Sequence, residues 1–316
     1  MTVPEETARV VVAVDIGGTK TAAAIVRDGV HIAHRVEAPT PARRGAAVIL
    51  DTAAALVGEA VRSGGRPVAV GVGSAGAFDD AGVVTHATAH LAGWTGTRVA
   101  SELRERLGLP VTVVNDVHAA ALGELAVDPR RERFVFVAVG TGIGGAVVSD
   151  GALLRGASGM AGAVGHLPAA TMRGRVCSCG GLDHIEAFAS GPGIERTFAE
   201  RTGRAASLHE IARRARDADA VAAEVIAAAA QELGASLAPV VTTVDPGLVL
   251  LGGGVSALGS ALVAPLARGL RAGLRSPFAD VRVEVASAGV EAALLGAAWL
   301  ARRVAGSVMP PASTAI

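Results

Sequence analysis

Four groups of residues in this chain have types and spacings suited to chemistry. The first is Asp15, at the end of an apolar run, followed by Gly17-Gly18-Thr19-Lys20 and a second apolar run (VVVAVDIGGTKTAAAIV, residues 10–26). Paired glycines let a backbone come close to a ligand and aim N–H groups at it, which suits phosphate oxygens. Asp15 would then stand beside the phosphates, where a magnesium ion would sit. A plain β-hairpin turn accounts for the glycines equally well, and the stretch is not a P-loop, because GxxxxGK[ST] is absent. The second group repeats the first: FVFVAVGTGIGGAVVS, residues 134–149, places Gly140-Thr141-Gly142-Ile143-Gly144-Gly145 between two apolar runs. The third is Asn115-Asp116, directly after the apolar PVTVV, and by spacing alone these residue types serve well as a helix N-cap. The fourth is His166 with Cys177 and Cys179, the two cysteines of the chain.

Positioning these groups requires strands that end beside one another. Apolar runs flanking a Gly-rich turn read as two adjacent buried strands. Each of the two units closes on a short polar turn, Arg27-Asp28-Gly29 and Ser149-Asp150-Gly151, before another apolar stretch. Two such units about 125 residues apart predict a duplicated fold whose halves clasp one phosphate chain. In the first half the pattern gives a third strand over 30–38, a helix over 42–62, a strand over 67–73 running into the small turn Ser74-Ala75-Gly76-Ala77, a helix over 96–107, a strand over 110–114 and a helix over 119–126. Residues 152–184 read as irregular. Helices follow over 185–189, 193–201, 207–216 and 217–241, then a strand over 247–251 into Gly252-Gly253-Gly254. A helix over 258–274, a strand over 281–286 and a helix over 290–304 complete the chain, with a disordered tail from Gly306. Alternation of this kind predicts mixed sheets flanked by helices, with ligands at the carboxyl ends of the strands. Asp15, Ser74, Asn115-Asp116 and Gly140-Thr141 all sit just past strand ends and are assigned to one cleft. Hinges are expected near 117–120 and 290, giving a smaller domain of 1–118 plus about 290–316 and a larger one of 119–289.

The totals agree with a large buried core. The chain has 316 residues, 51% of them hydrophobic and 18% charged, which is comfortable for two domains of a soluble protein. With 29 basic and 29 acidic residues there is no basic footprint for nucleic acid or a membrane surface. The N-terminal MTVPEETARV lacks the basic start and apolar core of a secretory signal. No uncharged apolar segment reaches the roughly 18 residues of a membrane span. Cys177 and Cys179 stand too close for a useful structural disulfide, so the expected compartment is the cytoplasm. Tyr is absent and aromatic residues make up 3%, so a sugar or other polar ligand would be held by hydrogen bonds rather than by stacking.

From Val10 to about Arg303 the chain resembles the ROK family (repressors, open reading frames and sugar kinases). The matching pieces are DIGGTK at Asp15, VVND ending at Asp116, GTGIGG at Gly140, AGAVGH ending at His166, CSCG at Cys177, and DPGLVLLGGG ending at Gly254. The resemblance implies an α/β, two-domain actin-like ATPase (ribonuclease H-like) fold. It implies transfer of the ATP γ-phosphoryl group, with Mg2+, to the 6-hydroxyl of a hexose or N-acetylhexosamine. Asp116 would be the base that takes the hydroxyl proton and orients the nucleophile. Asn115, Ser74, Ala75, Gly76, His166 and Glu186 would face the sugar. Asp15, Gly17, Gly18, Thr19, Lys20, Gly140, Thr141, Gly142 and Gly144 would serve the phosphates, and Gly252, Gly253 and Gly254 the adenosine. A homodimer is the expected assembly.

Three departures bear on function. The family's zinc run CxCGxxGCxE reads Cys177-Ser-Cys179-Gly-Gly-Leu-Asp183-His184-Ile-Glu186 here, so His184 replaces the third cysteine. Histidine is an ordinary zinc ligand, and His166, Cys177, Cys179 and His184 make a Cys2His2 set with a structural role; the alternative is a decayed site. The family's GExGH is GAVGH, so a sugar-contacting Glu is Ala163, which leans toward an N-acetylmannosamine- or N-acetylglucosamine-type substrate, with glucose open. His90 stands where family members often have Asn. A sugar-binding protein with weak or no activity is an alternative, and a ROK regulator is disfavoured because no helix-turn-helix precedes the first strand.

Overall fold

The computed structural model describes residues 10–87 and 90–308, so the N-terminal segment examined for a signal lies outside the described residues. The chain divides into two compact units, residues 1–131 with 155–160 and 288–316, and residues 132–154 with 161–287.

In the first unit β1 (Val11–Ile16) and β2 (Lys20–Arg27) form the hairpin read from the sequence, Val11 opposite Val26 and Ile16 opposite Thr21. Asp28 (φ 48°) and Gly29 (φ 85°) turn the chain into β3 (His31–Pro39), a left-handed pair that suits a tight hairpin. Helix α1 (Ala46–Gly64) buries Ile49, Leu50, Ala53 and Val57. Then come β4 (Val70–Ser74), a small ribbon of β5 (Ala77–Phe78) and β6 (Val84–His86), α2 (Val99–Leu107), β7 (Val111–Asn115) and α3 (Asp116–Val127). The sheet order is β3-β2-β1-β4-β7, with β1, β4 and β7 parallel. Strand β1 is buried on both faces, as a central parallel strand must be. The last helix of the chain returns to cover this sheet and is α9 (Ala292–Val308). Small residues let the backbones meet: a Cβ at Gly71 would lie 1.8 Å from the Ala297 carbonyl oxygen, and one at Gly296 would lie 1.7 Å from that of Ala119. That α3–α9 packing moves the domain boundary from the expected 118/119 to 131/132. The tail expected to be disordered from Gly306 is helical through Val308, and the rest of it lies outside the described residues.

The second unit repeats the plan. Its strands are β8 (Phe134–Val139), β9 (Ile143–Ser149) and β10 (Ala152–Leu154), with the left-handed pair Asp150-Gly151 at the second turn. Helices α4 (Glu186–Ala189), α5 (Gly191–Thr202), α6 (Leu208–Arg216) and α7 (Ala220–Val244) follow, then β11 (Leu248–Gly252), α8 (Ser260–Gly273) and β12 (Arg282–Val285). The order β10-β9-β8-β11-β12, antiparallel over the first three strands and parallel over the rest, matches the first sheet strand for strand. Among the described residues α7 is the one helix long and apolar enough to cross a membrane. Val225, Ile226, Leu233 and Leu237 on it are buried in the core of this unit, and Gly234 and Gly269 bring α7 and α8 into backbone contact.

Candidate functional site

In the first unit strand register gathers the reactive groups. Ile16 pairs with Ser74 and Ser74 with Asn115, so three neighbouring parallel strands end in one row. Asp15, the 74–77 turn and Asp116 therefore share the carboxyl edge of the sheet, the usual place for ligands in such folds. Asn115 caps α3, its side-chain oxygen accepting from the amides of Val117 (2.9 Å) and His118 (3.2 Å). Its Nδ2 donates to the Gly76 carbonyl at 3.1 Å and to Asp116 Oδ1 at 2.9 Å. Asp116 Oδ1 also accepts from Val117 N at 2.9 Å. Capping and catalysis were competing explanations of the Asn-Asp pair. Here Asn115 does the capping, and the bonds from Asn115 and Val117 to its neighbour both fall on Oδ1.

Both carboxyls bind protons tightly. Burial pushes Asp15 from 3.8 to about 7, helped by the charge of Asp116 and opposed by Arg35. Burial likewise raises Asp116, against the hydrogen bonds from Val117, its own amide and Asn115. Two neighbouring half-buried carboxyls, with Arg35 opposing the rise at Asp15 alone, form a site short of positive charge.

The first glycine turn is tied by Gly17 N donating to the Lys20 carbonyl at 3.0 Å. Thr40 braces it from β3's end: its hydroxyl donates to the Gly17 carbonyl at 2.7 Å, and its amide donates to the Thr19 carbonyl at 2.9 Å. Gly18 and Thr19 are exposed. Lys20 is exposed and paired with Glu37 at 2.6 Å. One expectation is corrected. Ser74 is completely buried, so this turn presents Ala75 and Gly76 and not the Ser74 hydroxyl. The turn is held by Trp94, whose indole N–H donates to the Ala75 carbonyl at 3.1 Å. Thr40 lies outside every motif, and Trp94 ends the family's Leu-x-Gly-Trp run (Leu91 to Trp94), which by itself gives no sign that the indole holds Ala75. His118, which carries no motif, is buried in α3.

In the second unit the turn at Gly140-Thr141-Gly142 closes through Gly140 N donating to the Gly142 carbonyl at 2.9 Å, and Gly191 N donates to the Gly140 carbonyl at 2.8 Å. Gly144 lies inside β9, opposite Ala138. The Gly252-Gly253-Gly254 run is needed at its first two positions for packing. A Cβ at Gly252 would meet the Phe136 ring at 2.5 Å, and Gly253 is left-handed (φ 79°) against the Val139 backbone. Gly252 is buried, so exposed backbone is offered by Gly253 and Gly254. Glu186 departs from expectation as well. It is 9% exposed, and both oxygens are committed inside the unit: Oε2 to Ile143 N at 2.8 Å, Oε1 to the Ser178 hydroxyl and, at 3.4 Å, to the Cys177 thiol.

His166, Cys177, Cys179 and His184 come together, their ligand atoms all within 4.8 Å of one another. Cys179 Sγ lies 3.1 Å from His184 Nδ1, and Cys177 Sγ lies 4.0 Å from His166 Nδ1. Two sulfurs and two imidazole nitrogens at this spacing fit a tetrahedral soft-ligand ion such as zinc. The loop beneath is prearranged. Asp183 is left-handed (φ 55°), and its carboxylate accepts from the amides of Arg173, Gly174 and Arg175. Arg175, itself buried, reaches Thr197, Glu200 and the face of Phe188.

A model of the ROK family matches residues 11–304. The chain is 34% identical over 293 residues to the N-acetylmannosamine kinase of Salmonella paratyphi A, covering 92% of this chain and 97% of that one. It is 29% identical over 314 residues to the glucokinase of Halalkalibacterium halodurans, covering 92% and 94%. Among solved structures it is similar to a ROK family glucokinase from Streptomyces griseus in complex with glucose and AMPPNP, at 31% identity and a TM-score of 0.80, covering 93% of this chain and 99% of that one.

Proposed function

This chain belongs to the ROK family, and from that premise we propose that it transfers the γ-phosphoryl group of ATP to the 6-hydroxyl of a hexose or N-acetylhexosamine. The observation that carries the reading is the division of labour at the end of β7. Asn115 caps the helix, and the bonds to Asp116 from the Asn115 side chain and the Val117 amide both fall on Oδ1, away from the acceptor hydroxyl's proposed place at Oδ2. A carboxylate whose proton affinity is raised by burial suits a base that accepts the hydroxyl proton as oxygen attacks phosphorus. Asn115, Ala75 and Gly76 lie beside it in the first unit to meet sugar hydroxyls. Within the first unit the exposed Gly18 and Thr19 suit phosphate oxygens, and the second unit, taken by itself, offers the turn at Gly140 and the exposed Gly253 and Gly254 to a nucleotide. Asp15 is the group for magnesium: its raised proton affinity marks a place where a divalent cation relieves repulsion between carboxylates, and such an ion supplies charge neutralisation for the phosphates. His166, Cys177, Cys179 and His184 would hold zinc as a structural ion that fixes their loop. Ala163 in place of a carboxylate opens room on the sugar side and favours an N-acetylated hexosamine. The reading carries with it a cytoplasmic location, supported by the two free thiols, and a homodimer, checked by sedimentation.

The test is a coupled ADP-release assay with ATP against glucose, mannose, N-acetylglucosamine and N-acetylmannosamine, with Asp116→Asn as control. The wild type should turn over at least one of these sugars. Loss of the base should cost about 10^2- to 10^4-fold in kcat. Equal turnover by the variant and the wild type on the best sugar would overturn the assignment.

A further inference from the structure

In the second unit one carboxylate joins two segments of chain. Glu186 sits at the start of α4 and reaches back to the glycine turn between β8 and β9, where Oε2 accepts from the Ile143 amide at 2.8 Å. Its other oxygen accepts from the Ser178 hydroxyl on the cysteine loop. Gly142 shows how tight the fit is. Its backbone is not left-handed, so conformation does not demand a glycine there. The three nearest atoms that a Cβ at 142 would meet all belong to Glu186, Oε2 at 2.6 Å and Cδ at 3.4 Å among them. The glycine is thus required by the carboxylate lying against it.

We infer that Glu186 is a positioning residue for the second glycine turn, clamping that turn to the cysteine loop in the shape that receives phosphate. The inference rests on the reading of this turn as phosphate-binding given above, and it gives Glu186 a task besides contact with the sugar. A carboxylate accepting a backbone N–H makes a strong, directional bond. Removing the carboxylate frees the Ile143 amide and the turn beside it. Ser178 holds the clamp from the far side, so nucleotide affinity should also respond to this residue.

The experiment measures AMPPNP affinity by calorimetry for the full-length chain as wild type, Glu186→Ala, Glu186→Gln, Gly142→Ala and the Glu186→Ala/Gly142→Ala double variant. Amide hydrogen exchange at Ile143 is followed in each. Glu186→Ala should weaken AMPPNP about tenfold and speed exchange at Ile143. Glu186→Gln, whose amide oxygen can still accept from Ile143 and whose NH2 can meet Ser178, should stay within about threefold of wild type. Gly142→Ala should weaken binding by itself yet add little in the double variant, because the atom it clashes with is gone. Wild-type affinity and protection retained in Glu186→Ala, with only the sugar KM changed, would overturn the clamp. Additive losses in the double variant would do the same. A wild type that fails to bind AMPPNP would instead overturn the phosphate reading of the turn, so the two failures are told apart.

Discussion

Asp15→Asn should make this protein more stable and less active, and the size of the gain should depend on pH. Burial, with the nearby Asp116 charge, raises the Asp15 carboxyl from 3.8 to about 7. A carboxyl whose folded value lies above its unfolded one stabilises the fold while it is protonated. That contribution is complete below about pH 4 and is lost as pH rises through about 7. At about 1.4 kcal/mol per pH unit the full displacement corresponds to about 4 kcal/mol at pH 8. Sharing of the effect with Asp116 lowers what one substitution recovers to about 2 kcal/mol. Asparagine fills the same volume and carries no charge, so it should regain that amount at pH 8 and less at pH 5, where the loss that begins near pH 4 is still incomplete. For a unit of this size, about 2 kcal/mol corresponds to roughly 4–8 °C in Tm. The assay is thermal denaturation of wild type and Asp15→Asn at pH 5 and pH 8, with and without magnesium and nucleotide. The wild type alone should melt higher at pH 5 than at pH 8, and magnesium with nucleotide should narrow that difference. Asp15→Asn should show a smaller difference and respond less to the ligands. If it melts below the wild type by the same margin at both pH values, Asp15 is a structural acceptor and the charge-deficit argument fails.

Two further outcomes follow from the supports of the site. Removing zinc with a chelator, or substituting His184→Ala, should abolish one bound zinc per chain by elemental analysis and lower Tm by several degrees, since an ion bound only by the folded state adds stability in proportion to its affinity. Zinc-free protein that melts like the wild type would mean the four donors hold no structural ion. Trp94→Phe removes the donor to the Ala75 carbonyl; it should cost about 1–3 kcal/mol in denaturant melts and raise the sugar KM more than the ATP KM.

Much of the fold is legible because its signals are local. Each hairpin needs two apolar runs, a glycine turn and an Asp-Gly turn, all within some twenty residues, and both copies announce themselves. The ends of the strands bring Asp15, the 74–77 turn and Asp116 to one edge by simple alternation of strand and helix. What the sequence hides are contacts made across long separations. Thr40 braces Gly17 because β3 folds back along β2. Trp94 holds Ala75 through an irregular segment, and Ser74 is sealed in by strands on both sides. No spacing rule marks these, since each depends on which elements pack together. The domain boundary slipped for the same reason: α3 pairs with α9, more than a hundred and fifty residues later, and a hinge placed at the end of β7 ignores that packing.

The cysteine loop shows how a departure from a pattern can be misjudged from sequence alone. Asp183 stands where the family pattern has glycine, and read by itself that change counts toward decay of the site. The position is left-handed at φ 55°, which explains the glycine, and aspartate is among the few other residues that tolerate such a conformation. Asp28, Asp150 and Asp245 occupy left-handed positions in the same chain, so the device is used repeatedly. At 183 the side chain adds what glycine cannot, three amides of the 173–175 segment bound to one carboxylate. Burial alone would raise this carboxyl; the bonds from Arg175, Arg173 and Gly174 outweigh burial and hold it below its ordinary value. The loop is thereby fixed directly beside His184, the residue that replaces the third cysteine. The two substitutions are best understood together: one changes a candidate ligand, and the other stiffens the backbone that presents it.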